Sequence, residues 1–262
     1  MRGSEVRDFY HAYGVNGVIT ELEFALAPAL EWQEVLISFP DFMPAVYFCQ
    51  ALGKACGIMK KLLTLLADPI PQMCGLEKNI ALGRTAILTI VDNRSCEALR
   101  DLASASGGQI NQEQNHAEVY GTHKTLIERT WNHTTLHTVK KHEDVTYLQS
   151  GFRSWENVEK VKQMYDYFGD EVMMHLEFLR VDGALTCSGL QLVRYTSEAR
   201  LNEIIQFHRD QNVHIANPHT CYLEDGGKFS VEPGQIAMKR RLDPEGLLNP
   251  GKMRTWEKEV VA

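Results

Sequence analysis

A histidine and a glutamate stand two residues apart in the apolar run MMHLEF, residues 173–178, which is typical of a β-strand. Alternate side chains of a strand lie on the same face, so His175 and Glu177 are predicted to lie side by side. Such a pair can donate and accept protons at a substrate. A single histidine on a strand is more often a packed core residue, and we therefore predict no metal site here.

A second histidine with the same chemistry is His219, in the later run NPHTCYLEDGG. The chain has ten histidines, so a metal-dependent hydrolase that uses His175, Glu177 and His219 is one alternative function. That alternative requires the three side chains to lie within a few ångströms of one another.

The polar run WNHTT, residues 131–135, is a third candidate. We predict that it connects a helix to a strand at 133–139 and that His133 lines a pocket wall, where it orients a hydroxyl or carboxylate group. An ordinary connection between the two elements is the alternative. We also consider Arg180, Arg194 and Lys239 as donors of charge-assisted hydrogen bonds to a substrate carboxylate.

Two turn sequences near the chain ends fix a specific backbone path. Asn16-Gly17 marks a tight turn, and it is followed by alternating apolar residues that predict a strand from Ile19 to Leu26. The tail from Pro244 to Gly251 holds two prolines and two glycines within eight residues. Such a fixed path serves either packing or a ligand.

Between these turns the chain repeats one order of elements. Strands are predicted at 32–39, 59–66, 85–91, 133–139, 145–149, 171–181 and 185–193. Helices are predicted at 95–105 and 154–168. Three more are predicted: one between a cap at Asp41 and a stop at Gly57, one after a cap at Thr196, and one that begins at Ser230. Asp182-Gly183 is the strongest hairpin signal. The pattern indicates an α+β fold with two related halves, each with helices on one face of a sheet.

Composition excludes several classes of function. The chain has 262 residues, 44% hydrophobic and 23% charged, which is typical of a globular protein. Its net charge of −7 argues against nucleic acid as a partner. The sequence has no apolar run long enough for a transmembrane segment, and its six cysteines form no CxxC pair. We therefore predict a cytoplasmic protein with reduced thiols.

Two segments resemble one family. The tail LDPEGLLNPGKM, residues 242–253, and the opening YGVNGVITELEFALAP, residues 13–28, are similar to flavin-dependent oxidoreductases of the vanillyl-alcohol-oxidase type. That group includes glycolate oxidase FAD subunits and D-lactate dehydrogenases. The two motifs stand in the family's order at opposite ends of the chain, and together they are more specific than either motif alone.

The resemblance implies FAD as cofactor and hydride transfer from an alcohol or 2-hydroxy acid to the flavin. It implies that residues 1–30 end an FAD-binding domain, that 31–229 form a ferredoxin-like cap with an antiparallel sheet covered by helices, and that 230–262 return to the FAD-binding domain. The family's larger FAD module has no counterpart in this sequence. Its pyrophosphate-binding glycine loop is missing too, so we expect weak FAD binding by this chain alone.

The resemblance also assigns residues. FAD contacts are implied for Gly14, Asn16, Gly17, Val18, Ile19 and Asn249, where an Asx-type turn is the alternative for Asn249. His175 and His219 match two metal-binding histidines of the family, but the flanking Gly-Asp-Gly-Asn and Glu-His-Gly runs are absent. The predicted catalytic set is His133, His175, Glu177 and His219, acting without a metal.

A function of another class stays open from the sequence. The chain could be a non-catalytic ligand-binding or assembly module with ferredoxin-like halves, completed by a separate FAD-binding chain. The open partners are that separate chain, a second copy of this chain in a homodimer, and a small alcohol or hydroxy acid.

Overall fold

The computed structural model describes residues 1–225 and 233–261. The chain divides into two compact units: residues 1–28 with 216–262, and residues 29–215. The predicted helix start at Ser230 and the glycines Gly226 and Gly227 lie outside the described residues. The assignment of the terminal segments to an FAD-binding domain stays a prediction.

A nine-stranded antiparallel sheet organises the larger unit. Its strands are β1 Trp32–Phe39, β2 Lys60–Leu66, β3 Thr85–Asp92, β4 Gln109–Asn115, β5 Val145–Gly151, β6 Val172–Met173, β7 His175–Val181, β8 Ala184–Arg194 and β9 His214–Ala216. The α-helices of the described residues are α1 Phe42–Lys54, α2 Ile70–Met73, α3 Cys96–Ala105, α4 His116–Val119, α5 Trp131–Val139, α6 Asn157–Phe168, α7 Glu198–Asp210, α8 Pro233–Leu242 and α9 Arg254–Val261.

The strand order is β4-β1-β3-β2-β7-β8-β5-β9, with β6 paired to β8. In the first half, β1-α1-β2-β3-α3-β4 places its four strands in the order 4-1-3-2. In the second half, β5-α6-β7-β8-α7-β9 places its strands in the order β7-β8-β5-β9, which is the mirror image of the order in the first half. These are two ferredoxin-like units joined at β2 and β7. The predicted α+β fold with related halves is confirmed.

The two faces of the sheet are covered differently. One face packs on α1, α3, α6 and α7 in the main hydrophobic core, to which the strands contribute residues such as Ile37, Leu65, Leu176 and Val193. The opposite face carries a smaller apolar cluster with Leu36, Leu66, Leu88 and Leu192, covered by residues 70–80 and Leu126. Polar side chains that are able to bind or react with a ligand lie on this second face.

Most predicted elements are confirmed within a few residues. The Asp182-Gly183 turn joins β7 to β8, and both residues have the positive φ angles, 50° and 81°, that such a tight turn needs. The helix after residue 196 begins one position later than predicted, because Ser197 rather than Thr196 accepts the capping hydrogen bond, from Arg200 N at 3.1 Å. Asp41 precedes α1 but makes no capping hydrogen bond.

Two predicted strands are wrong. Residues 133–139 form helix α5, in which Thr134, Thr135 and Thr138 are buried. β-Branched threonines favour strands, but the Thr138 hydroxyl here donates to Thr134 O at 2.9 Å, within the preceding helical turn.

The other wrong strand is 19–26. Residues 17–31 belong to no helix or strand, because a strand needs a partner and none of the described residues pairs with this segment. Its apolar side chains are exposed: Val18, Ile19, Leu22, Phe24 and Leu26.

Candidate functional site

Glu177 is the centre of a buried polar cluster on the second face of the sheet. It lies on β7 opposite Thr64 of β2, and the Thr64 hydroxyl donates to Glu177 Oε2 at 2.5 Å. Glu177 Oε1 accepts from His175 Nε2 at 2.8 Å and from the Trp131 backbone N–H at 2.6 Å. These three donors stabilise a carboxylate that is only 1% exposed.

The predicted contact between His175 and Glu177 is therefore present, although their catalytic role is a separate question. His175 is fully buried, and its Nδ1 has no hydrogen-bond partner among the described residues. Its Nε2 lies 2.8 Å from Glu177 Oε1. His175 can thus reach a molecule outside the core only through Glu177.

Glu177 also lines an open cleft of about 600 Å³. The walls come from residues 60–63 of β2 and residues 177–180 of β7, with Trp131 beside them. We name it the β2–β7 cleft. Trp131 has a left-handed φ of 48°, which costs a non-glycine residue about 1–2 kcal/mol and aims its N–H at Glu177.

A second buried carboxylate, Glu34 of β1, was not singled out from the sequence. It is fully buried and accepts hydrogen bonds at 2.5–2.7 Å from His116 Nδ1, the Thr125 hydroxyl, Leu126 N and Gln114 Nε2. Burial alone raises the pKa of Glu34, but these donors outweigh it and hold the pKa below its ordinary value. Its one sequence signal is a charged residue inside the apolar run WQEVLISF.

His116 connects Glu34 to the β2–β7 cleft. Its Nδ1 donates to Glu34. Its Nε2 accepts a hydrogen bond from Lys61 Nζ at 2.9 Å. Burial lowers the pKa of Lys61, and nearby Glu34 offsets this in part. The chain Glu34–His116–Lys61 therefore fixes one ammonium group at the edge of the cleft.

The other two predicted catalytic histidines are in different local environments. His133 is the third residue of helix α5 rather than the start of a strand, and its Nδ1 is 3.6 Å from Glu128. His219 follows β9 in the smaller unit, is exposed, and donates its backbone N–H to Asn217 Oδ1 at 3.0 Å. Within residues 1–225 and 233–257, no three His, Cys, Asp or Glu side chains are grouped to hold a metal ion. The described residues thus hold no ligand set for the hydrolase alternative.

In the smaller unit the two turn sequences from opposite ends of the chain meet. Lys239 of α8 is 2% exposed, and its Nζ donates to Val15 O at 2.8 Å and to Leu248 O at 3.0 Å. Its third partner is Asp243 at 2.5 Å. Asp243 in turn accepts from the backbone N–H groups of Leu247 and Leu248. Lys239, considered above for a substrate carboxylate, is thus already occupied in holding the two turns together.

The predicted FAD contacts fall into two groups. Asn249 donates its side-chain amide to Tyr13 O, and Gly14 faces that amide, 4.0 Å from where its Cβ would lie. Asn16 is buried and donates to Asp8 O at 2.8 Å, while its Oδ1 has no donor among the described residues. Gly17 ends the turn with a φ of 153°.

Val18 and Ile19 form the second group, since they are 75% and 51% exposed and lie outside the turn. A pocket of about 320 Å³ adjoins the turn and is lined by Val15, Asn249, Met253 and Trp256 among others.

Among the described residues no helix is both long and apolar enough to cross a membrane. All six cysteines are free thiols, and four are buried. Burial raises the pKa of Cys74 to about 12, so this thiol stays protonated and inert at neutral pH.

No protein-family model and no curated protein sequence matches the chain. Two crystal forms of alkyldihydroxyacetonephosphate synthase are similar in structure. The P1 form has a TM-score of 0.50 and 10% identity over 85% of this chain and 45% of that chain. The P212121 form has a TM-score of 0.47 and 11% identity over 86% of this chain and 45% of that one. This chain therefore spans less than half the length of those structures. Its fold is similar to that of the matched part of the P1 form.

Proposed function

We propose that this chain supplies the cap and the C-terminal flavin-facing segment of an FAD-linked oxidoreductase that oxidises an alcohol or 2-hydroxy acid. The single observation that carries the proposal is that the two motifs resembling this family meet. Lys239 binds carbonyls of both turns, and Asn249 binds Tyr13 O. The paired ferredoxin-like halves add support, since the resemblance predicts such a cap between the motifs.

The residues of the two turns fit part of an FAD site. The buried Asn16 Oδ1 has no donor among the described residues and so has room for one from a ligand. Gly14 has a φ of 71°, and its missing side chain leaves the backbone open to a close approach. In the proposal, this turn holds the adenine and diphosphate side of FAD, and Asn249 lies near the flavin ring. When bound, FAD accepts the hydride from the substrate.

Oxidation of a hydroxyl group also needs a group that takes its proton. In the proposal Glu177 has this role, because it lines the β2–β7 cleft and its Oε1 is hydrogen-bonded to His175 Nε2. Thr64 and the Trp131 N–H keep the carboxylate oriented. The catalytic roles of His133 and His219 stay predictions.

The experiment is a titration of the isotope-labelled chain with FAD, followed by backbone amide NMR shifts. We expect weak, fast-exchange binding that shifts residues 13–17 and Asn249, because part of the cradle is present. Riboflavin, which has the flavin ring but lacks the adenylate, is the matched ligand control and should leave residues 13–17 unshifted. Shifts that avoid both turns would contradict the proposed site, and tight stoichiometric FAD would contradict the partial cradle.

A second candidate function is an assembly module completed by a separate chain. The observation that favours it is the exposed apolar segment around Leu22, Phe24 and Leu26, which are 69–83% exposed. We expect a Phe24→Asp, Leu26→Asp variant to shift the chain toward monomer in sedimentation velocity. A monomeric starting protein would remove the homodimer form of this candidate.

A further inference from the structure

The β2–β7 cleft exists because two strands separate. β2 pairs with β7 at Leu66–His175, Leu65–Leu176 and Thr64–Glu177, and the pairing ends there. β2 nevertheless begins at Lys60, and β7 continues to Val181. The two ends stay paired to β3 and β8 but no longer to each other, and they form the walls of a cleft whose volume of about 600 Å³ suits a small organic molecule.

The walls and floor of the cleft are largely apolar. Its aliphatic and aromatic lining residues include Ile58, Leu62, Leu63, Phe178, Leu179 and Leu185. Ile58, Leu63 and Phe178 belong to the main core, so their positions are set by packing on α1 and its neighbours. A ligand with an apolar body would thus meet a preformed surface.

The same cleft holds three cations. Lys60, Lys61 and Arg180 line it, and none of them has a carboxylate within ion-pair distance among the described residues. The acid in the lining is Glu177, whose two oxygens already accept from Thr64, His175 and Trp131. In a chain with a net charge of −7, such a group of unneutralised cations is unexpected.

Backbone carbonyls hold two of these cations in place. Lys60 Nζ donates to Ala55 O at 2.9 Å and Ile58 O at 2.7 Å, which leaves one N–H for a ligand. Arg180 donates to Gly53 O and Gly183 O at 3.1 and 2.9 Å and keeps three further N–H groups. Burial and then the nearby Arg180 lower the pKa of Lys60. An anion bound between the two would relieve that repulsion.

We propose that the β2–β7 cleft binds a small organic anion, with its carboxylate or phosphate oxygens on Lys60 and Arg180 and its apolar body against Leu62 and Leu185. Lys61, fixed by His116, lies at the same rim and adds positive charge. This site lies in residues 29–215 and does not depend on the proposed flavin contacts.

Calorimetric titration of the full chain without FAD tests the proposal. The probes are 2-hydroxyhexanoate and hexyl phosphate, and 1-hexanol is the neutral control. We expect saturable binding of at least one anion, weakened about tenfold in Arg180→Gln and in Lys60→Gln because each loses a charge-assisted hydrogen bond. Arg100→Gln is the matched control, since Arg100 lies outside the cleft and pairs with Glu113. It should bind like the parent chain.

The outcomes separate clearly. Tighter binding of the carboxylate or of the phosphate identifies the head group, and either supports the site. The proposal is overturned if neither anion saturates, if 1-hexanol binds equally well, or if both glutamine variants keep the parent affinity. The two variants remove different contacts, so one that does not fold leaves the other as the test. Since Glu177 lines the same cleft, a negative result here also counts against its proposed role, whereas the flavin contacts of residues 13–17 and Asn249 are tested by the separate FAD titration.

Discussion

At the scale of single residues, the two buried carboxylates show how this protein keeps charge inside its core. Glu34 and Glu177 lie on the second face of the sheet, and each accepts at least three short hydrogen bonds. A buried carboxylate without such donors would be strongly destabilising. Apart from His175, the donors of both networks are distant in sequence from the carboxylate that they bind, so the networks tie separate segments of the chain together.

Replacing Glu34 by Gln tests this role. The amide group would face donors such as Leu126 N and Gln114 Nε2, which then lose their acceptor, and the free energy of unfolding should fall by about 3 kcal/mol. Urea unfolding followed by circular dichroism measures the change. Glu97→Gln, in the first turn of α3, is the control and should change stability little. An unchanged midpoint for Glu34→Gln would refute the network's contribution.

The parent chain and Glu34→Gln should also differ in how their stability depends on pH. The pKa of Glu34 is lowered in the folded state, so its stabilisation is present above its ordinary value of 4.5 and is lost as the pH falls through the folded pKa. The difference in unfolding free energy between the parent chain and Glu34→Gln should be constant near neutral pH and shrink in acid. A difference that grows in acid would contradict the lowered pKa.

At the scale of elements, local signals place helices and turns well but not every hydrogen bond within them. Asp41 and Ser197 both precede helices and both have extended backbone angles. Only Ser197 of the two makes the capping hydrogen bond. The difference is in side-chain orientation, which the sequence pattern does not specify.

Alanine substitutions at these two positions should therefore differ. Ser197→Ala loses the bond to Arg200 N and should lower the free energy of unfolding by about 1 kcal/mol. Asp41→Ala loses only a weak interaction with the helix dipole, about 0.3 kcal/mol. Chemical denaturation of both variants checks this, and equal losses would contradict the assigned caps.

The β7–β8 hairpin gives another prediction at this scale. Gly183 has a φ of 81°, so Gly183→Ala should cost about 1–2 kcal/mol through backbone strain. Gly57 has no positive φ, and an added Cβ would meet nothing within 4 Å. Gly57→Ala is thus the matched control, with a change of about 0.5 kcal/mol or less. Thermal unfolding distinguishes the two, and a neutral Gly183→Ala would contradict the turn geometry.

At the scale of the whole molecule, the chain ends are held together by one buried lysine. Lys239 joins the turn at Val15 to the turn at Leu248, more than 230 residues apart along the chain. Its charge is balanced by Asp243, and its Nζ also lies 5.7 Å from the centre of the Trp256 ring. The turn at Leu248 is also held by Asp243, which accepts from Leu247 N and Leu248 N.

Lys239→Met should therefore loosen both turns at once. It leaves Asp243 buried without its cation, with a local cost of about 3 kcal/mol. Hydrogen exchange measured by mass spectrometry should become faster in residues 13–17 and 246–252 together, with β1 and β3 unchanged. Lys252→Met is the control in the same unit. Faster exchange in only one turn would show that Lys239 does not connect them.

Much of this protein is determined by local sequence. The strand-like run WQEVLISF, the helical spacing in α1 and α7 and the Asp182-Gly183 turn depend on neighbouring residues, so they predict the elements and the two related halves. The tertiary structure alone decided which residues meet. It brought Thr64 to Glu177, His116 to Glu34 and Val15 to Lys239. It also left 19–26 without a strand partner and separated β2 from β7 to open a cleft. The physical reason is range: periodicity acts over a few residues, whereas hydrogen-bond partners and strand edges depend on where distant segments pack.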